Sequence, residues 1–153
     1  MDKQSRVISV NISDKKGVIK EPVKQISINE QGVVNDAHAG DWHRQISLLA
    51  EESIMRFTKI LGRNITYGEF AENITTKGIV LYTMTPGDIL YIGDDVILEV
   101  TQIGKKCHGE GCAIFSTVGK CVMPKEGIFC KVLQNGLIKN GDTITHIQKQ
   151  KTT

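Results

Sequence analysis

No stretch of this chain approaches the roughly 18 to 20 continuous apolar residues that a bilayer-crossing helix needs. The opening Met1-Asp2-Lys3-Gln4-Ser5-Arg6 leads into no apolar signal-peptide core. The resulting expectation is a cytoplasmic protein without a membrane partner. A surplus of one charge is missing too: 19 basic residues stand against 17 acidic ones, a net charge of +2. That balance is too even for a field that would gather nucleic acid non-specifically, so any anion site must be local. Neither G-x-G-x-x-G nor G-x-x-x-x-G-K followed by Ser or Thr occurs, which removes the usual supports for hydride transfer and nucleotide hydrolysis. H-E-x-x-H is absent, so a zinc hydrolase has no footing in the histidines. With four, eight and eight residues between them, the cysteines lack the two close-paired knuckles that zinc ribbons and fingers use.

What is present is an ordinary soluble composition, 40% hydrophobic and 24% charged over 153 residues, enough for one domain that buries roughly 70% of its unfolded surface. Four cysteines without a secretory signal favour free thiols over disulfides. We find no internal repeat, low-complexity tract or interdomain linker, and residues 148–153 read as a polar, frayed tail.

The apolar pattern is mostly of short, β-branched runs. Arg6 to Ile12 reads as a strand, Ser13 to Gly17 as a turn, and Val23 to Val34 as one or two strands split by Asn29-Glu30-Gln31-Gly32. Further strands are expected over Ile79 to Tyr82, Ile89 to Ile92, Val96 to Thr101, Ile128 to Leu133 and Thr143 to Ile147. Turn formers separate them, among them Pro86-Gly87-Asp88 and Asn140-Gly141-Asp142. One helix is expected over Glu51 to Leu61, with Ile54, Met55, Thr58, Ile60 and Leu61 near helical spacing, acidic residues in its first turn and Gly62 as its stop. Many strands with one or two helices imply a mainly β, mostly antiparallel, barrel-like or sandwich domain.

Cys107 carries the chemistry. A strand-like run delivers its thiol into a glycine turn, Gly104-Lys105-Lys106-Cys107-His108-Gly109, where the positive charge of Lys105, Lys106 and His108 would favour the thiolate. A thiolate attacks sulfur donors and binds soft metals; the alternative is a half-buried structural cysteine in a surface turn. Cys112 and Cys121 are candidate resolving thiols, and Cys130, inside an apolar strand, reads as a small buried side chain. A structural zinc site on His108 and the cysteines would make this a non-catalytic binding domain. The polar loop from Asn35 to Arg44 holds Asp36, His38, His43 and Arg44. A guanidinium there suits phosphate or carboxylate, or else a surface ion pair with Asp36 or Asp41. Asn73, Thr75 and Thr76 offer hydrogen bonds to an oxygen-rich ligand, or a turn cap and a strand start.

Taken in order, these segments resemble the MOSC domain family, named after the C-terminal part of molybdenum cofactor sulfurases and also found as small stand-alone bacterial proteins. The resemblance runs roughly from Val7 to Ile147. It rests on Gly32 to Gly40 with Arg44 to Leu48, on Gly68-Glu69-Phe70-Ala71-Glu72-Asn73-Ile74-Thr75, on the turns Pro86-Gly87-Asp88 and Asn140-Gly141-Asp142, and on Glu99-Val100-Thr101-Gln102 leading to Cys107. Lys106 stands where family members often have proline, and the stretch with Cys112 and Cys121 lies outside the general pattern. The resemblance implies an antiparallel β-barrel-like fold with a molybdopterin pocket facing the cysteine. Cys107 would act as a persulfide sulfur carrier or as a molybdenum ligand, and Asp36, His38, Arg44, Asn73, Thr75, Lys105 and Lys106 would shape the cofactor site. It also implies either sulfur transfer, from a donor such as a cysteine desulfurase to a molybdoenzyme, or reduction of N-hydroxylated compounds with an electron-transfer partner. Sulfurases containing this module carry a separate pyridoxal phosphate domain, for which this chain is too short and for which no lysine can be singled out.

Overall fold

The computed structural model describes residues 5–15, 18–62, 64–104 and 126–149. The expected β-rich architecture is what it shows: eleven strands and one helix among the described residues. The strands are β1 (Arg6–Ile12), β2 (Glu21–Val23), β3 (Gln25–Asn29), β4 (Gly32–Val33), β5 (Ile46–Ala50), β6 (Ile74–Lys77), β7 (Ile89–Ile92), β8 (Val96–Ile103), β9 (Ile128–Gln134), β10 (Gly136–Lys139) and β11 (Ile144–Ile147), with α1 at Glu51–Leu61. Eight strands form one sheet in the order β11-β7-β8-β9-β5-β6-β1-β2, and β10-β3-β4 form a second.

The large sheet curls until its far parts meet. Arg6 in β1 bridges Thr143, Val7 N donates to Asp142 O at 2.8 Å, and Ile144 N donates to Ser5 O at 2.9 Å. That contact is one bridge and not a full ladder, so the sheet is barrel-like without being a closed barrel. Every pairing is antiparallel except that of β5 with β6. Parallel neighbours require a crossover, and α1 with the following loop supplies it. β5 lies at the centre, every residue buried, as expected for a strand covered on both faces. Ile46, Leu48 and Ala50 face the main core with Leu81, Leu90, Leu98 and Ile138. Leu49 faces the smaller cluster of Ile54, Ile65, Phe70 and Phe129 under α1. In β1, Val7 and Val10 both reach the main core although they are three apart, because the register shifts between Val7 and Ser9; a bulge lets two positions of opposite parity share a face.

The helix ends as its sequence dictates, with Gly62 in the left-handed region at φ 70 donating its N–H to Thr58 O at 3.0 Å. Its inward face differs from the expected one: Ile54 is buried and Phe57 packs beside it, whereas Met55 and Ile60 are exposed. The expected strand Ile79 to Tyr82 does not form. The strand lies instead at β6, in the polar Ile74–Lys77, because pairing with β5 and β1 and full burial of Thr75 and Thr76 outweigh the more apolar run that follows. β10 also forms between the expected strands, where none was expected, held by antiparallel pairing to β3.

The two Gly-Asp turns use one device. Asp88 Oδ2 accepts the N–H of Thr85 at 3.0 Å, and Asp142 Oδ2 accepts that of Lys139 at 2.9 Å. Each carboxylate closes its own turn on the residue three before it. Asp88 further accepts His146 Nε2 at 2.8 Å and Lys149 N at 2.7 Å, fastening the end of β11. Among the described residues no helix is long and apolar enough to cross a membrane.

Candidate functional site

The loop between β4 and β5 is built around Asp36. Asn35 takes φ 70, a left-handed conformation that asparagine tolerates better than most residues, and this turns Asp36 inward until it is 7% exposed. Its Oδ1 accepts the N–H of Ser13 at 3.0 Å and the ammonium of Lys20 at 2.8 Å, and its Oδ2 accepts the N–H of His38 at 3.0 Å. Burial by itself would raise the Asp36 pKa. The nearby His38 ring, the hydrogen bond and charge of Lys20 and the Ser13 N–H outweigh it and hold the carboxyl well below the usual range. Lys20 is itself 2% exposed, and its Nζ lies 3.1 Å from His38 Nδ1.

From this anchor the loop raises a row of rings and cations. Trp42 Nε1 donates to His38 O at 2.8 Å, and the two rings are parallel within 4° at 6.5 Å between centroids. The Arg44 guanidinium lies 4.7 Å from the Trp42 ring centroid and 5.7 Å from that of Phe129, within reach of cation–π attraction. Neither Asp36 nor Asp41 pairs with Arg44 among the described residues, and its buried Nε has no hydrogen-bond partner. Gln45 pins the loop from below: its Nε2 donates to Glu30 O at 2.9 Å and Gly40 O at 2.7 Å, while its Oε1 accepts the N–H of Val132 at 2.8 Å.

This loop meets the end of β8. Thr101 Oγ1 donates to His43 O, His43 Nε2 lies 3.0 Å from Gln102 Oε1, and Gln102 Nε2 donates to Gly104 O at 2.6 Å. Gly104, at φ 66, donates its N–H to Gly127 O at 2.7 Å. Cys107, His108, Cys112, Cys121, Lys105 and Lys106 lie outside the described residues. Cys130 is fully buried, as its apolar strand implied, and burial pushes its thiol pKa far up, with a further contribution from Glu99.

Asn73 and Thr75 sit lower, in a fully buried polar network between β1, β5 and β6. Asn73 Oδ1 accepts from Ser47 N at 3.0 Å and Ser47 Oγ at 3.2 Å, and its Nδ2 donates to Asn11 O at 3.3 Å. Thr75 Oγ1 donates to Glu72 Oε2 at 2.7 Å and accepts from Asn11 Nδ2 at 3.1 Å. Thus Asp36, His38 and Arg44 share one loop, and Asn73 and Thr75 hold the strands beneath. The network reaches that loop through the main chain, since Gly68 N donates to Glu72 Oε2 at 3.0 Å and Lys20 N donates to Gly68 O at 2.8 Å.

Sequence reasoning missed Lys20, Trp42, Gln45, Phe129 and Glu72 as parts of this arrangement. Lys20 stands alone between Ile19 and Glu21 and Phe129 reads as core; the usable signals were the closeness of Trp42 to His38 and Arg44 and the place of Gln45 and Glu72 inside the motifs that carry the resemblance. Among the described residues no three of His, Cys, Asp and Glu gather as a metal site. A groove of about 130 Å³ on the α1 side, lined by Ala50, Ser53, Arg56, Ile79 and Tyr82, contains none of the sequence-derived candidates.

A family model described as "MOSC domain" matches residues 35–145, most of the chain. Solved structures share the fold. The YuaD protein from Bacillus subtilis aligns with a TM-score of 0.78 at 17% identity, covering 97% of this chain and 98% of its own. YiiM from Geobacillus stearothermophilus aligns with 0.73 at 22% identity, covering 94% and 75%. YiiM from Escherichia coli aligns with 0.71 at 15% identity, covering 98% and 72%. A search of curated proteins finds no match.

Proposed function

The chain belongs to the MOSC domain family, and from that premise we propose that it binds molybdenum cofactor beside the loop of His38, Trp42 and Arg44, with Cys107 as a persulfide carrier or molybdenum ligand. The observation that carries this reading is the buried, unpartnered Nε–H of an arginine held by two rings instead of a carboxylate. Its charge is left for a ligand, and a guanidinium is the side chain best matched to phosphate. The residues therefore fit a phosphate-bearing pterin. The position of β8 supports the same reading. Gln102 near its end meets His43 of this loop at 3.0 Å, and in the sequence Cys107 follows five residues later.

When bound, the cofactor would supply a soft, redox-active metal. Arg44 would hold the phosphate, with Lys105 and Lys106 adding positive charge that favours the Cys107 thiolate. Asp36 would fix the loop through Ser13, Lys20 and His38, and Asn73 and Thr75 would keep the strands beneath it in register. In the sulfur-carrying role, the thiolate attacks the terminal sulfur of a donor persulfide, such as that of a cysteine desulfurase. A new S–S bond forms at Cys107 as the donor's bond breaks, and the donor leaves as its thiolate. The acceptor would be a molybdoenzyme.

The test is purification with and without co-expressed cofactor synthesis, measuring molybdenum, pterin and sulfane sulfur in wild type, Cys107→Ser and Arg44→Ala. Cys107→Ser should lose sulfane sulfur, and Arg44→Ala should lose pterin while keeping it. Equal background signals in all three would remove the proposal. Turnover of hydroxylaminopurine by cofactor-loaded protein with an artificial electron donor would move it to the N-hydroxylated-compound reductases.

A further inference from the structure

Lys20 is the one lysine in the described structure whose side chain is fully enclosed beside the loop, and its ammonium faces two groups at once. Asp36 Oδ1 is at 2.8 Å and His38 Nδ1 at 3.1 Å, with the side chains of Lys20 and Asp36 both at zero exposure. His38 Nδ1 is farther, 3.7 Å, from Asp36 Oδ2, and that oxygen already accepts the His38 backbone N–H. An ammonium group has hydrogens to give and no lone pair to receive. A ring nitrogen at hydrogen-bond distance from it therefore acts as acceptor, and the proton of the neutral ring goes to the other nitrogen.

We propose that Lys20 is a positioning residue for this site: it holds the His38 ring as the Nε2–H tautomer, so the ring offers ligands a hydrogen-bond donor and not a metal-binding lone pair. The Nδ1 edge of the ring lies against buried Lys20 and Asp36, and the His38 side chain as a whole is 19% exposed. Stacking parallel to Trp42 and the bond from Trp42 Nε1 to His38 O keep that edge from swinging. With the Arg44 guanidinium, the loop then presents donors, and the group it recognises is an anionic oxygen such as that of a phosphate. This role in recognition rests on the cofactor reading above; the tautomer does not.

Nitrogen-15 spectra of the full, histidine-labelled chain decide it. They are recorded about two pH units above the ordinary imidazole range, with His38 assigned by the signal lost in His38→Asn. Wild type should show Nδ1 without a proton and Nε2 with one; an Nδ1–H tautomer would overturn the proposal. In Lys20→Met the Asp36 carboxylate loses its cation and becomes the nearest partner of Nδ1, so the tautomer should reverse. Should that variant not fold, Lys20→Met combined with Asp36→Asn removes both charges and should give a mixture of tautomers. A folded variant that keeps the wild-type tautomer would refute the role of Lys20. Inorganic phosphate should shift the Nε2–H resonance in wild type and not in the lysine variant, and no response in wild type would refute recognition of the anion. Failure of cofactor loading with both spectroscopic results intact would sink the cofactor reading and leave this one standing.

Discussion

Glu72→Gln should shift stability progressively in favour of the variant between pH 4.5 and pH 7. Glu72 has no exposed surface. Its Oε2 accepts from Gly68 N at 3.0 Å and Thr75 Oγ1 at 2.7 Å, whereas its Oε1 is buried with no partner. Burial pushes its pKa from the ordinary 4.5 up to about 7, and the bonds from Gly68 and Thr75 hold it from rising further. The folded carboxyl thus keeps its proton in a window where the unfolded one has lost it. Stability is then fullest below pH 4.5 and falls as pH rises toward 7, at up to about 1.4 kcal/mol per pH unit, or about 3 kcal/mol across the window. Glutamine cannot ionise and escapes this loss. Its amide nitrogen at the unpartnered position adds an offset of about 1–3 kcal/mol that does not vary with pH. Asp36 contributes with the opposite sign: its pKa is lowered, so its stabilisation is present above the ordinary carboxylate range and lost in acid. It is common to both proteins and cancels in their difference. Urea midpoints measured in steps from pH 4.5 to about pH 8 should show that difference turning toward glutamine as pH rises. A pH-independent difference, or one that widens toward acid, would refute the reasoning.

Asn73→Ala would strand the N–H of Ser47 and the carbonyl of Asn11 inside the protein, a loss of about 2–5 kcal/mol in urea denaturation. Gly68→Ala places a Cβ 2.3 Å from the carbonyl oxygen of Lys20 at φ +88. Main chain must move as well as the strained turn, so a loss above about 2 kcal/mol is expected in thermal unfolding. Cys130 should resist alkylation in the folded protein and react only after denaturation, as read by mass spectrometry, because it is fully buried and its thiol pKa is pushed far up. Arg44→Lys should fold with near wild-type stability yet bind pterin more weakly, since lysine keeps the charge and loses the planar fork and the Nε–H.

Much of the fold was legible because local chemistry and tertiary pairing agree in it. The β-branched runs of β1, β7, β8, β9 and β11 fall where their spacing put them, and Gly62 ends α1 because only a left-handed residue closes that turn without strain. Reading failed where one neighbour overrode local preference. Ile74–Lys77 is more polar than Ile79 to Tyr82, yet it is the strand because β5 and β1 flank it. Met55 and Ile60 look like core at helical spacing, but the helix turns Ile54 and Phe57 inward.

The site divides in the same way. From its residues alone the chain establishes a mainly β domain, a loop rich in Asp, His and Arg, and its family, since these depend on residue type and order. What only the folded structure decides is which of those groups are engaged and which stay available. It fills Asp36 with Ser13, Lys20 and His38, encloses Asn73 and Thr75, and leaves the Arg44 Nε–H without a partner. Lys20 lies 16 residues from Asp36 in the chain. A hydrogen bond depends on distance in space, and no local pattern encodes which distant strand ends will meet.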